Sequence, residues 1–200
     1  MEADKTLPLK DGATRLVFGD GNPEAEILFI GEGPGYWEDQ KGLPFVGNAG
    51  ALLNQLLINI GMKRGDVYIT NVIHFRAPDN RDPVPEEIES FKPYLNEIIK
   101  IIDPKLIITL GRFSMGKFLG SVTITGIHGR EKLVEWEGRR VWVLPMYHPA
   151  AALRNGEIKR RLMADFDRIP EVLEKARKEV GIVEKAVEEK KENAEQMALV

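Results

Sequence analysis

Cysteine is missing altogether from this chain of 200 residues. Its absence excludes disulfides, thiolate metal sites and iron–sulfur ligation of the usual kind, and it implies no oxidising compartment. No apolar run reaches the ~18 residues needed to span a bilayer, and the opening Met1–Thr6 stretch has no apolar core of signal-peptide type. A soluble, intracellular, cytoplasmic protein without a membrane role is the expectation. Charge of one sign is lacking too: 28 Lys and Arg against 31 Asp and Glu leave a net charge of −3. That balance argues against holding polyanions by bulk charge and leaves the task to local stripes such as Arg154 to Arg161. A charged fraction of 30% without cysteine hints at a thermophile.

What is present reads as one compact domain, since 200 residues with 43% hydrophobic content suit a single core. Four apolar runs read as buried strands: Ala25–Ile30, Val67–Ile73, Lys105–Leu110 and Val141–Met146. Helical spacing lies between them. Ala49–Ile60 carries leucines and isoleucines at that spacing, with Asn48 placed to cap it and Gly61 to stop it. Pro85–Ile102 is amphipathic, and Pro93 is expected to break or kink it. Ile124–Val141 alternates around Gly129 and Gly138, as a hairpin or loop excursion would. Strands alternating with helices predict an α/β fold, a three-layer α/β/α sandwich around a four-stranded, mainly parallel sheet. The predicted domain spans 1–168. Residues 169–200 read as a charged helical extension, solvated rather than bound to a partner.

Two motifs follow strands directly, so both fall on the sheet edge where α/β folds bind ligands. The first is Gly31, Glu32, Gly33, Pro34 and Gly35; the second is His148-Pro149 with Leu153 and Arg154. A glycine turn after a strand serves phosphate cradles, dinucleotide turns and simple tight turns alike. A nucleotide-phosphate binder would want Lys-Ser or Lys-Thr after the turn, which is missing.

The continuation narrows the choice. Glu38-Asp39, the run Gly42 to Gly50 with Pro44, Phe45 and Gly47, the segment Tyr68 to Val72 with Asn71, Leu110-Gly111, and His148 to Arg154 stand in order between about Arg15 and Asp167. Together they resemble the family 4 uracil-DNA glycosylases. The resemblance implies a monofunctional hydrolase of DNA base-excision repair that flips uracil out of DNA, cleaves its N-glycosidic bond and leaves an abasic site. No lysine stands where a Schiff base would need one. DNA is the implied partner, the nucleoid the implied location and a monomer the expected form. The chain departs from the family at its 4Fe–4S cluster. The four cysteine places fall at or near Lys5, Pro8, Phe75 and Phe91, none of which binds iron. No cofactor and no metal are therefore expected, with the two aromatic rings filling the vacated space.

Under this resemblance Phe45 is the stacking face for the flipped base, the alternative being a core phenylalanine. Asn71 reads uracil, because an amide offers an acceptor to N3–H and a donor to O4, and cytosine presents the reverse; alternatively it bonds local backbone. His148 stabilises the negative charge that develops near O2 of the departing base. Glu32, with the turn at Gly31 and Gly33, lines the water side, and Glu38 walls off the 5-methyl of thymine. Leu153 suits a wedge into the gap left by the flipped nucleotide, with Arg154, Lys159 and Arg160 meeting phosphates. His74 and the helix start from Gly111 to Ser114 are further candidates for phosphate contact, whereas His128 reads as structural. Two other functions use the same residues: excision of hypoxanthine or xanthine, and non-catalytic binding of DNA or abasic sites.

Overall fold

The computed structural model describes residues 1–179. The expected helical stretch Val183–Glu195 lies outside the described residues. Successive residues of an extended strand point to opposite faces, and here both faces are apolar. Ile27 and Phe29 enter one core with Leu106, Ile108 and Leu144, while Leu28 and Ile30 enter a second with Ile107 and Val143. A sheet with two apolar faces has to be covered twice.

The strands are β1 (Asp20–Gly21), β2 (Ile27–Gly31), β3 (Tyr68–Asn71), β4 (Leu106–Leu110), β5 (Lys132–Trp136) and β6 (Arg139–Met146). They form one sheet in the order β1-β3-β2-β4-β6-β5. The inner four are parallel, and the edge strands β1 and β5 are antiparallel to their neighbours. The helices are α1 (Tyr36–Lys41), α2 (Asn48–Asn59), α3 (Pro85–Ile102), α4 (Arg112–Leu119), α5 (Ile124–Ile127), α6 (Pro149–Arg154) and α7 (Gly156–Asp167). α2 and α7 send Leu53, Leu57, Leu162 and Phe166 into the first core; α3 sends Phe91, Leu95 and Ile99 into the second. The expected three layers are present.

The sheet has six strands rather than four. β1 is two residues long and reads as a turn in sequence, so only its pairing with Tyr68 and Ile69 shows it to be a strand. β5 is one arm of the expected hairpin, joined to β6 through Glu137 and Gly138, both at positive φ, as a tight two-residue connection needs. α3 runs unbroken through Pro93, whose ring lies on the exposed face, where water can bond the carbonyl left without a helical donor. Asn48 is the first residue of α2 and not its cap: Gly47 holds that place without a side-chain bond. The core also continues past residue 168, since Ile169, Val172, Leu173 and Ala176 are buried against the first cluster. Among the described residues no helix is long and apolar enough to cross a membrane.

Phe75 and Phe91 are both buried, with ring centroids 6.1 Å apart, and Leu7 joins them in the second core. The Tyr94 hydroxyl donates to the Asp4 carboxylate and ties the N-terminal segment to α3. Lys5 is exposed and Pro8 half-buried. Because Phe91 is fully enclosed, Phe91→Ala should cost about 3–5 kcal/mol of unfolding free energy, read from urea titration. Adding Phe75→Ala should cost less than the sum of the two single changes, since the rings share one contact.

Candidate active site

β2 lies between β3 and β4, so the order of connection reverses beside it, and a crevice opens beyond the carboxyl ends of the strands there. Gly31 pairs with Asn71 across β2 and β3, and Leu110 with Met146 across β4 and β6. The loops carrying the two sequence motifs therefore leave the same sheet edge. They enclose a cleft of ≈ 240 Å³ lined by Glu32, Gly33, Glu38, Phe45, Asn71, His148 and Arg154, among others.

Gly31 makes the centre of this cleft possible. A Cβ there would lie 2.4 Å from Asn71 Oδ1 and 2.7 Å from Phe45 Cε2, so only a residue without a side chain lets amide and ring approach. Gly33 is crowded likewise, by Ile73 Cγ1 at 2.6 Å. The Phe45 ring stacks on the His148 imidazole, with centroids 5.5 Å apart and planes 29° from parallel. Its backbone sits at φ +51°, in the left-handed region that phenylalanine avoids.

Two side chains hold that loop. Glu38 Oε1 accepts hydrogen bonds from the Val46 and Gly47 amides, both at 2.9 Å. Arg64 donates to the Pro44 carbonyl at 2.6 Å and the Phe45 carbonyl at 3.4 Å, while its Nε donates to Asp20 at 2.8 Å. Glu38 thus lines the cleft and also anchors the loop.

Asn71 is 1% exposed, and its Oδ1 has no hydrogen-bond partner among the described residues. A buried acceptor without a donor costs about 1–3 kcal/mol, and this one borders the cleft. His148 is half-buried and caps α6, its Nδ1 accepting from the Ala150 amide at 3.1 Å. With Nδ1 used as an acceptor, the neutral ring carries its proton on Nε2. Burial pushes the imidazole down to about 4, with the Glu38 charge opposing and the Arg154 charge adding a little. At neutral pH the ring is an uncharged donor. Glu32 is half-buried, and its carboxyl is raised by burial, then by Asp82, with Arg112 opposing.

Several candidates lie elsewhere. His74 is 0% exposed; its Nε2 is 3.3 Å from Thr70 Oγ1, and its ring lies between Phe18 and Phe91. No phosphate reaches it. Ser114 is also fully buried, its hydroxyl turned toward the Gly111 carbonyl. Gly111, at φ +97°, sits against His148, whose Cβ would be 3.3 Å from a side chain there, so it backs the imidazole. Leu153 is 49% exposed at the end of α6, beside Arg154 in the cleft wall. On α7 Lys159 is exposed, whereas Arg160 and Arg161 both pair with Glu157. His128 pairs with Asp165 at 2.9 Å and is structural. Sequence reading missed Arg64, which ties the Pro44 and Phe45 carbonyls to Asp20 on β1, and Arg81, which lines the cleft while held by Glu87.

The model of the uracil DNA glycosylase superfamily matches residues 18–168. The chain belongs to that superfamily. It is 46% identical over 167 residues to the type-4 uracil-DNA glycosylase of Sulfurisphaera tokodaii, covering 80% of this chain and 75% of that one. The type-4 enzyme of Archaeoglobus fulgidus is 45% identical over 165 residues, covering 80% and 82%. That of Thermotoga maritima is 40% identical over 172 residues, covering 84% and 88%.

This superfamily member does not fit the iron–sulfur cluster that the family 4 resemblance implies. The chain has no cysteine, and the cluster positions inside the fold hold two packed phenylalanine rings that offer only carbon. Among the described residues no group of three or more His, Asp or Glu is placed to hold a metal ion.

Two predictions follow from this geometry. Arg64→Ala should free the Phe45 loop, read as faster hydrogen exchange at the Val46 and Gly47 amides, with Arg64→Lys showing partial protection. The second concerns acid. Burial pulls His74 from its ordinary 6.5 to about 3, so below pH 6.5 the unfolded chain binds a proton that the folded one refuses. Stability should fall as pH drops through that window, by about 1.4 kcal/mol per pH unit for this residue. Urea titrations at pH 7 and 5 should show a smaller difference in His74→Phe than in the unsubstituted protein.

Proposed function

We propose that this chain hydrolyses the N-glycosidic bond of uracil in DNA, as a monofunctional enzyme that needs no cofactor and leaves an abasic site. The observation that carries this reading is the unpartnered Asn71 Oδ1, set at the edge of a cleft whose floor is the Phe45 ring and whose far side is a neutral imidazole. A flipped uracil stacks on Phe45, gives its N3–H to Asn71 Oδ1 and takes Asn71 Nδ2–H at O4. Cytosine would set its unprotonated N3 against the same oxygen, and two acceptors repel. The clamped Glu38 carboxylate occupies the wall toward C5, against the methyl group of thymine.

As the C1′–N1 bond breaks, its electron pair leaves with the base and charge builds on O2. The Nε2–H of His148 donates to that oxygen, and an uncharged donor already held in place stabilises the transition state without reorganisation. Water enters from the Glu32 side, its oxygen bonding to C1′ and its proton ending on the departed base. Leu153 fills the gap in the stack, with Arg154 and Lys159 meeting phosphates. Every group in this scheme comes from one chain, which suits a monomer acting inside the cell where DNA lies.

Alkaline cleavage of oligonucleotides carrying uracil, hypoxanthine or xanthine tests the reading. Product from uracil is expected; binding without product, or product from the purines only, would overturn it. His148→Ala should lower the rate by about 10²–10³-fold, the usual loss for a single oxyanion donor. Asn71→Asp should lower uracil excision as well, because a carboxylate has no donor for O4.

A further inference from the structure

Two large aromatic side chains stand in water beside the cleft. Tyr36 is 50% exposed and Trp37 57% exposed, and they lie in the chain between Gly35 and Glu38, both of which line the cleft. Their rings meet edge to face with centroids 5.2 Å apart. The Arg76 guanidinium lies over the Tyr36 ring, 5.4 Å from its centroid. The indole rests on the Phe45 loop, since a Cβ on Gly47 would be 3.5 Å from Trp37 Cδ1.

The pair is fixed in place. The buried Asp39, two residues on, accepts from the Thr14 amide at 2.8 Å and the Arg15 amide at 3.2 Å, which pins α1 to the N-terminal segment. Neither ring contributes to either core cluster. Rigid exposed rings topped by a cation, on a chain whose net charge is −3, match the way proteins hold single strands: bases stack on aromatic faces and arginine meets the backbone or a π-face. Arg154, on the cleft wall, adds a second cation near the pair.

We propose that Tyr36 and Trp37 form a stacking platform for the unpaired bases that flank the flipped uracil on a single strand. The platform rests on the uracil-excision reading for its place beside the site. Bases in a duplex keep their faces on one another, so the platform gains nothing from them. Leu153, exposed on α6 next to the cleft-lining Arg154, serves the opposite case by filling the gap in a duplex stack.

Oligothymidylate of ten nucleotides, which contains no uracil, tests the platform in the full chain. Trp136 and Trp142 are each 9% exposed, so tryptophan emission quenched by the oligonucleotide reports Trp37. Fluorescence anisotropy of labelled single-stranded and duplex DNA then compares Tyr36→Ala/Trp37→Ala with the unsubstituted protein. Single-strand affinity should fall by about tenfold or more, the range expected for lost base stacking, duplex affinity should change little, and Trp37→Phe should retain part of the single-strand affinity. Both side chains are half-exposed, and circular dichroism checks that the variants fold. An equal loss on duplex, or no loss on single strands, would overturn the proposal, the second result assigning the pair to a protein partner. Quenching without uracil excision would overturn the proposed function and leave the platform standing; excision without quenching would overturn the platform alone.

Discussion

The site depends on one steric constraint, the absence of a side chain at the carboxyl end of β2. Gly31 lies in register with Asn71 on the neighbouring strand, and the space its Cβ would take is occupied by the Asn71 carboxamide and the Phe45 ring. Any side chain there would part the Asn71 amide from the Phe45 ring. His148 completes the arrangement from the turn after β6, its imidazole against the same ring and also lining the cleft. Three residues far apart in the chain meet because parallel strands bring their ends to one edge, and because at one of those ends nothing projects.

The arrangement is locally unfavourable. Phe45 adopts a left-handed backbone that costs a non-glycine residue on the order of 1–2 kcal/mol, and Asn71 keeps a buried oxygen without a donor. The imidazole is held where protonation is disfavoured. These features persist because their surroundings leave no alternative: Glu38 and Arg64 grip the Phe45 loop from two sides, and Gly50 lets α2 come up against the Phe45 carbonyl, which would lie 1.8 Å from a Cβ. Stability comes from elsewhere, from two apolar layers packed on a sheet whose central strands β2 and β4 are buried throughout.

Much of this is legible in the sequence, for physical reasons that also mark where reading stops. Apolar runs flanked by glycine turns give the inner strands and the edge where Gly31, Asn71 and His148 stand. They do not give β1, whose Asp20-Gly21 pair becomes a strand only through its neighbour. His74 illustrates a second limit. Polarity three residues after Asn71 suggests the surface, yet the chain turns inward there and a threonine hydroxyl and two aromatic rings receive the imidazole. Arg64 illustrates a third, because a guanidinium that bonds main-chain carbonyls leaves no pattern of side-chain types to find. Ser114 looks like a phosphate ligand at a helix start until burial removes it from solvent.

The loss of cysteine bears on the cleft more directly than composition suggests. Phe75 stands between Ile73 and Ala77, and both of those residues line the cleft. The packing of Phe75 on Phe91 therefore sets where that wall lies, the task a covalent cluster would perform by tying the loop to α3. Aromatic contact achieves this through area and shape, with Leu7 closing the same cluster and the Tyr94–Asp4 bond fastening the N-terminal segment. Such a wall is indifferent to oxidants and chelators, but it yields more easily to a cavity, because no bond resists the loop's movement once a ring is removed. The shape of the cleft thus rests on hydrophobic packing by residues that do not themselves line it.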